Sequence, residues 1–216
     1  MHCVIVAQVR RLEGEHLVMI VVIDSGVANL RSVANALRHL GAEMRIAQDA
    51  DGLDGAHKII LPGVGAFEAG MKRLRECGFV GALAKYVEQG IPLLGICLGM
   101  QMLFERSEEM GDFEGLGLLP GKVVRFPQGQ KVPHMGWNQL LPHTASPLLR
   151  GIAAGDYAYF VHSYYAHAQP EDVLAGCEYG ITFPAVVARG SVYGAQFHPE
   201  KSQGTGLQLL RNFLQM

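Results

Sequence analysis

The sequence predicts an α/β fold whose central sheet is mostly parallel with an added antiparallel portion, and three observations carry this. Short apolar runs alternate with helix-length amphipathic segments from Met19 to about residue 110, the pattern of βαβ units. Between Gly117 and Gln196 the apolar runs are shorter and separated by turns rich in Gly, Pro and His, which suits antiparallel strands. Leu207, Leu210, Phe213 and Leu214 then recur at helical spacing and form a closing helix.

Taken in order, residues 19–23 form the first strand. Leu30, Val33, Ala34, Leu37 and Leu40 make one apolar helix face, ended by Gly41. Strands follow at 44–47 and 58–61. Helices follow at 67–75 and 79–88, split by Gly78 and ended by Gly90. A buried strand at 92–96 feeds a helix expected to run from about residue 98 to 110 and to stop at Gly111. Short strands are expected at 122–126, 138–141, 158–162, 173–177, 185–189 and 191–197. No repeat, low-complexity segment or linker divides the chain.

With 216 residues, 49% of them hydrophobic, the chain suits one large core. Its net charge of −2, without a basic cluster, points to neither nucleic acid nor an anionic membrane. No apolar run is long enough to span a bilayer. Cys3, Cys77, Cys97 and Cys177 form no C-x-x-C pair, so neither zinc nor a disulfide framework is indicated and a reducing cytoplasm fits. Residues 1–18 place an apolar run before their charges, the reverse of a secretory signal. They read as an extension outside a single domain at 19–216, from an upstream start with Met19 as the usual beginning, or as an extra strand.

Chemistry enters at Gly95-Ile96-Cys97-Leu98-Gly99. This is a thiol version of the strand-to-helix nucleophile elbow, in which glycines two residues either side leave room for the sharp turn. At a helix N-terminus the dipole and unpaired N–H groups favour a thiolate. A lone cysteine in an apolar run also packs as a small hydrophobe; the flanking glycines and Phe197-His198-Pro199-Glu200 decide for the nucleophile. Proline biases His198 toward extended backbone, so His198 and Glu200 share a face and the carboxylate orients the imidazole toward a thiol.

An oxyanion hole needs two backbone donors. Leu98 N–H is one candidate. Pro62-Gly63-Val64-Gly65, at the same carboxyl edge of the sheet, offers another, although it reads equally as a simple turn. Gln101 lies one helical turn from Cys97 and reaches the same ligand. Glu109 suits a substrate ammonium group or a solvated helix end. The segment Phe160 to Tyr165, with Ser163 and Tyr164, is dense in hydrogen-bonding groups that suit a small zwitterion.

These residues are familiar as a set. Pro62-Gly63-Val64-Gly65, Gly95 through Gln101, Val132-Pro133-His134-Met135-Gly136-Trp137-Asn138, Val161 through Tyr165 and Gln196 through Ser202 resemble the class I glutamine amidotransferases. Met100 and the tryptophan-containing motif resemble, within that class, the glutaminase subunits of imidazole glycerol phosphate synthases. The likeness covers Met19 onward.

The resemblance implies a three-layer, flavodoxin-like fold and hydrolysis of glutamine to glutamate and ammonia through a γ-glutamyl thioester, with Cys97, His198 and Glu200 as the triad. It implies that Gln101, Glu109, Ser163 and Tyr164 hold the amino acid and that Gly65 and Leu98 form the oxyanion side. No metal or organic cofactor is expected. The implied partner is a separate (β/α)8 cyclase subunit, forming a heterodimer that passes ammonia through an enclosed channel. There it would yield imidazole glycerol phosphate and an aminoimidazole carboxamide ribonucleotide, in histidine biosynthesis. Asn29, Trp137, Asn138, Tyr159 and Lys201 are candidates for that interface, and each reads equally as ordinary surface or core.

Subunits serving anthranilate or aminodeoxychorismate synthesis are disfavoured by the tryptophan motif. A silent binding subunit would have no chemical need of all three triad groups. One loop departs from the family pattern: Asp24-Ser25-Gly26-Val27-Ala28-Asn29 stands where Asp-Tyr-Gly-x-Gly-Asn is usual.

Overall fold

The computed structural model describes residues 18–26 and 29–216. Residues 1–17, and so nearly all of the expected extension, lie outside the described residues, as does Ala28 of the altered loop. Six elements match the periodicity to within two residues. They are β1 (Ile20–Ile23), α1 (Leu30–His39), β2 (Met44–Ala47), β3 (Lys58–Gly63), α2 (Phe67–Glu76) and α3 (Phe79–Glu88). Then come β4 (Leu93–Cys97), α4 (Leu98–Met102), β5 (Phe104–Ser107), β6 (Phe113–Glu114) and β7 (Leu119–Arg125). The remainder is β8 (His134–Gln139), β9 (Leu141–Pro142), β10 (Tyr157–His162), β11 (Tyr164–Ala168), β12 (Val173–Glu178), β13 (Thr182–Arg189), β14 (Val192–Ala195) and α5 (Gln203–Gln215).

The main sheet runs β2-β1-β3-β4-β14-β13-β12-β9. Its first five strands are parallel, and β13, β12 and β9 continue it antiparallel. Parallel strands buried on both faces favour apolar side chains along their length, and β1, β3 and β4 are buried throughout, with Lys58 at the start of β3 donating from Nζ to the Phe213 carbonyl. Successive side chains point to opposite faces. Ile20, Val22, Ile60 and Leu94 therefore enter one core with Leu37, Leu210 and Phe213 of α1 and α5. Val21, Ile23, Ile59 and Leu61 enter a second with Phe67, Leu83 and Met102 of α2, α3 and α4. Three layers result. Two smaller sheets, β10-β8 and β11-β7-β5-β6, flank this body, and no described helix is long and apolar enough to cross a membrane.

Two expected elements differ in the structure. The helix after Cys97 ends at Met102 rather than near Met110, and residues 104–107 form β5, which pairs with β7 and β6. Leu103-Phe104-Glu105-Arg106 has helical propensity, but all of α4 is buried and a longer helix would leave β7 without its parallel neighbour. Tertiary pairing overrides local preference here. Glu109 consequently sits in the turn after β5, not on a helix. The strand expected at 138–141 is displaced for a similar reason: His134–Gln139 pairs with β10, and Leu141–Pro142 joins β12.

Candidate active site

Cys97 closes β4 and caps α4 with φ 54 and ψ −110, one of three described non-glycine residues at positive φ. Such backbone costs about 1–3 kcal/mol and turns the side chain out of the sheet between strand and helix. The flanking glycines make the turn possible. A Cβ on Gly99 would stand 1.8 Å from the Leu61 carbonyl oxygen, and one on Gly95 would stand 2.7 Å from the Gly99 backbone. Both obstacles are main chain, so neither can move aside. Gly99→Ala is expected to cost about 3 kcal/mol of stability, measured by urea unfolding.

The helix that follows Cys97 has five residues, so its dipole is weaker than a longer helix would supply. A polar partner of the sulfur is Gln196, whose Nε2 donates to Sγ across 3.9 Å. Its orientation is fixed by neighbours. Gln101 Nε2 donates both to the Gln196 Oε1, at 3.0 Å, and to the Tyr164 carbonyl, at 2.8 Å, which leaves the Gln196 NH2 to face the thiol.

Strand register brings the other groups to the same edge. Gly63 lies opposite Cys97 on β3, so the Pro62–Gly65 loop leaves the sheet beside the sulfur. Ala195 lies opposite Ile96, which carries the chain after β14 to the same end. There the His198 N–H donates to the Tyr159 carbonyl at 3.0 Å, and Ser202 Oγ donates to the His198 carbonyl at 2.6 Å. His198 is extended, as the following proline predicts, but the chain then turns into a short 3-10 helix over Pro199–Lys201 instead of continuing extended, and in this turn the His198 Nδ1–H donates to Glu200 Oε1 at 2.8 Å. Both side chains are 2% exposed.

Burial works against a charge on His198, but hydrogen bonding and charge attraction to Cys97 and Glu200 outweigh it and push its pKa up to about 10. Its Nε2 has no partner within strict hydrogen-bond geometry, and neither has Glu200 Oε2.

Cys97 opens onto a pocket of about 250 Å³. Gly65, Leu98, Gln101, Glu109, Ser163 and Tyr164 all line it, as do Val64, Pro133, Val161 and His162, which the sequence reading did not single out. Gly65 has φ +96, a conformation that glycine adopts without strain. Glu109 has a structural duty as well, since its Oε2 accepts the Phe67 N–H at 2.7 Å and satisfies the otherwise uncapped start of α2. Among the described residues no cluster of His, Cys, Asp and Glu is placed to hold a metal ion.

The interface candidates separate into two kinds. Trp137 and Tyr159 pair across β8 and β10 with ring centroids 5.9 Å apart, and Trp137 is 46% exposed. Lys201 is exposed on the turn beside His198, and Asn29 is exposed while capping α1. Asn138 instead turns inward, its Nδ2 bonded to His134 and to the Glu178 carbonyl. Ser25 of the altered loop is buried and donates to the Pro62 carbonyl at 3.1 Å, tying that loop to the one beside the thiol. Gln196 was the residue missed. It lies two before His198, and the period of extended chain would have placed it on the same side.

A profile of the family described as "Glutamine amidotransferase class-I" matches residues 21–216. The chain belongs to the class I glutamine amidotransferase family. Among amidotransferases of this family it is 54% identical over 196 residues to a Desulfitobacterium hafniense (strain Y51) protein named "Imidazole glycerol phosphate synthase subunit HisH", covering 90% of this chain and 93% of that one. A Geobacillus kaustophilus (strain HTA426) protein of the same name is 52% identical, covering 91% and 96%. A solved structure called a glutamine amidotransferase superposes with TM-score 0.73 at 27% identity, covering 90% of this amidotransferase and 97% of that chain. The structure of PurLQS from Thermotoga maritima superposes with TM-score 0.74 at 22% identity, covering 91% and 97%, and shares the fold.

Proposed function

We propose that this chain is the glutaminase subunit of an imidazole glycerol phosphate synthase, with Cys97, His198 and Glu200 as its catalytic triad. The observation that carries the reading is the thiol standing at the end of a pocket whose walls hold Gly65, Leu98, Gln101, Glu109, Ser163 and Tyr164, with the His198–Glu200 pair behind it. Names carried by relatives about half identical over nine-tenths of the chain support the same pathway.

In this reading the Cys97 thiolate attacks the carboxamide carbon of glutamine. The new C–S bond places negative charge on oxygen, where the Leu98 N–H and the Gly65 loop stabilise it. His198, held as imidazolium, gives its Nε2 proton to the departing nitrogen as the C–N bond breaks. The neutral ring then takes a proton from water, which attacks the γ-glutamyl thioester, and C–S cleavage releases glutamate and restores the pair. Glu200 holds the ring in the tautomer this requires. Gln101 spends both amide hydrogens on protein carbonyls, so its Oε1 faces the ligand as an acceptor. Glu109 and Ser163 offer further acceptors for the α-ammonium group.

Ammonia released into water is mostly protonated and lost as a nucleophile, so the product needs an enclosed route to a cyclase partner. Exposed apolar groups support a docked face: Val64 at the pocket wall is 37% exposed, Trp137 46%, Tyr157 53% and Met135 62%. We take residues 19–216 as one cytoplasmic glutaminase domain and residues 1–18 as an addition to it. Removing residues 1–18 is expected to leave glutamine hydrolysis within about twofold of the full chain, since the family match begins at residue 21; an inactive product would place them in the core.

The direct test is labelling by a glutamine-shaped chloroketone. Cys97 is expected to react and Cys177 to stay free, since burial pushes the Cys177 thiol up to about 12. Peptide mapping that finds the label on Cys177 or Cys77, with Cys97 untouched, would overturn the assignment.

A further inference from the structure

His134 and His162 are buried, and neither has a role in the triad. His134 belongs to the tryptophan-containing motif on β8 and His162 ends β10, strands brought together in a register that sets the two histidines opposite each other. His134 Nδ1 and His162 Nε2 are 3.2 Å apart, and His162 Nδ1 lies 2.8 Å from the Tyr164 carbonyl. Asn138 Nδ2 lies 3.2 Å from His134 Nε2. All four ring nitrogens are thus engaged.

The proton positions follow from the partners. A carbonyl only accepts, so His162 carries its proton on Nδ1 and donates to Tyr164. The Asn138 amide is fixed by two other bonds, its Oδ1 accepting from the Gln139 N–H and its Nδ2 donating to the Glu178 carbonyl, so it offers a donor to His134 Nε2. His134 therefore has its proton on Nδ1 and gives it to His162 Nε2. Each ring has one donor and one acceptor, and both are neutral. Desolvation in the aromatic surroundings agrees with this, holding His134 down to about 4 and His162 to about 3. Tyr179 and Phe160 stack on the His134 ring, at 4.1 and 5.0 Å between centroids.

The Tyr164 carbonyl at the end of this chain is also the acceptor for Gln101 Nε2, which in turn orients Gln196 against the Cys97 sulfur. We propose that His134 and His162 are positioning residues, a proton-locked neutral pair that fixes the Tyr164 carbonyl and through it the Gln101 wall of the glutamine pocket. This rests on the glutaminase reading and adds to it a directed series of bonds from the strand carrying Trp137 and Asn138 to the substrate-facing amide. Two histidines at this place supply what a pair of apolar residues of similar size cannot, a donor to a carbonyl in the pocket wall.

The test compares two reagents on Cys97 in the full chain. Iodoacetamide reports the thiol alone, whereas the glutamine-shaped chloroketone also needs the amino-acid pocket. His162→Phe keeps a ring of similar size, and is expected to slow the chloroketone about tenfold, the effect of one lost hydrogen bond, while iodoacetamide stays within about twofold. His162→Asn, whose Nδ2 can take the place of Nδ1, is expected to recover most of the loss. Because His162 also lines the pocket and His134 does not, His134→Phe separates positioning from direct contact: it cuts the middle link and is expected to slow the chloroketone alone, by about threefold, because His162 loses only its orienting partner. Unchanged chloroketone rates in the folded variant, or equal slowing of both reagents, would overturn the positioning role. A wild-type Cys97 that reacts with neither reagent would instead sink the glutaminase reading.

Discussion

Replacing Cys97 with alanine is expected to abolish glutamine-dependent synthesis by the assembled enzyme, by a factor on the order of 10⁴ or more, because no other group can form the thioester. Synthesis driven by added ammonium salt is expected to survive at close to the wild-type rate, since the cyclase then receives its nitrogen from solution. Alanine also removes little volume, and the backbone at this position is set by Gly95, Gly99 and the β3-β4 register rather than by the thiol. Assaying both nitrogen sources on one preparation separates lost chemistry from lost folding. Loss of both activities would mean that Cys97 holds the structure or the interface.

The second large effect is at Glu200. Glu200→Gln keeps the size of the side chain but removes the negative charge that the His198 Nδ1–H faces at 2.8 Å. Glutamine hydrolysis is expected to fall on the order of 10³-fold, from a ring that no longer keeps its tautomer or its charge. The same variant should move the titration of His198. In the intact pair burial opposes the charged ring, and Cys97 with Glu200 holds its pKa up to about 10. Without the carboxylate, burial gains ground and the pKa falls, which NMR of the ring carbons reads directly.

The sign for stability follows. A raised folded-state pKa contributes stability that is fully present below the ordinary value of 6.5 and is lost as pH rises through about 10. The wild-type chain is therefore expected to lose unfolding free energy between about pH 7 and pH 10, and Glu200→Gln to lose less over the same range. Urea titrations at the two ends of that window check it.

Much of this site was legible before any coordinates. The elbow glycines and the histidine-proline-glutamate run are local signals, because steric room and extended backbone are decided within a few residues. The parallel half of the sheet was equally legible, since its strands are short apolar runs, broken only by Arg45 in β2 and Lys58 at the start of β3, and each helix keeps one face. What escaped depends on distant partners. Phe104–Ser107 becomes a strand only because β7 and β6 lie beside it. The double duty of Glu109 follows from the arrival of α2, whose first N–H it satisfies. The His134–His162 pair exists through the β8-β10 register, which no spacing in the chain reveals. Gln196 could have been found, because it shares an extended stretch with His198.

The departure at Ser25 is explained in part. Its hydroxyl holds the Pro62 carbonyl, so the short side chain keeps the first loop against the loop beside the thiol without an aromatic ring.

The most direct test of the account is acid quenching of the complex during glutamine turnover, followed by mass spectrometry of its peptides. A γ-glutamyl adduct is expected on the peptide carrying Cys97 alone, and on no peptide of Cys97→Ala. Glutamate forming with no adduct on that peptide, or with the adduct on Cys77 or Cys177, would contradict it.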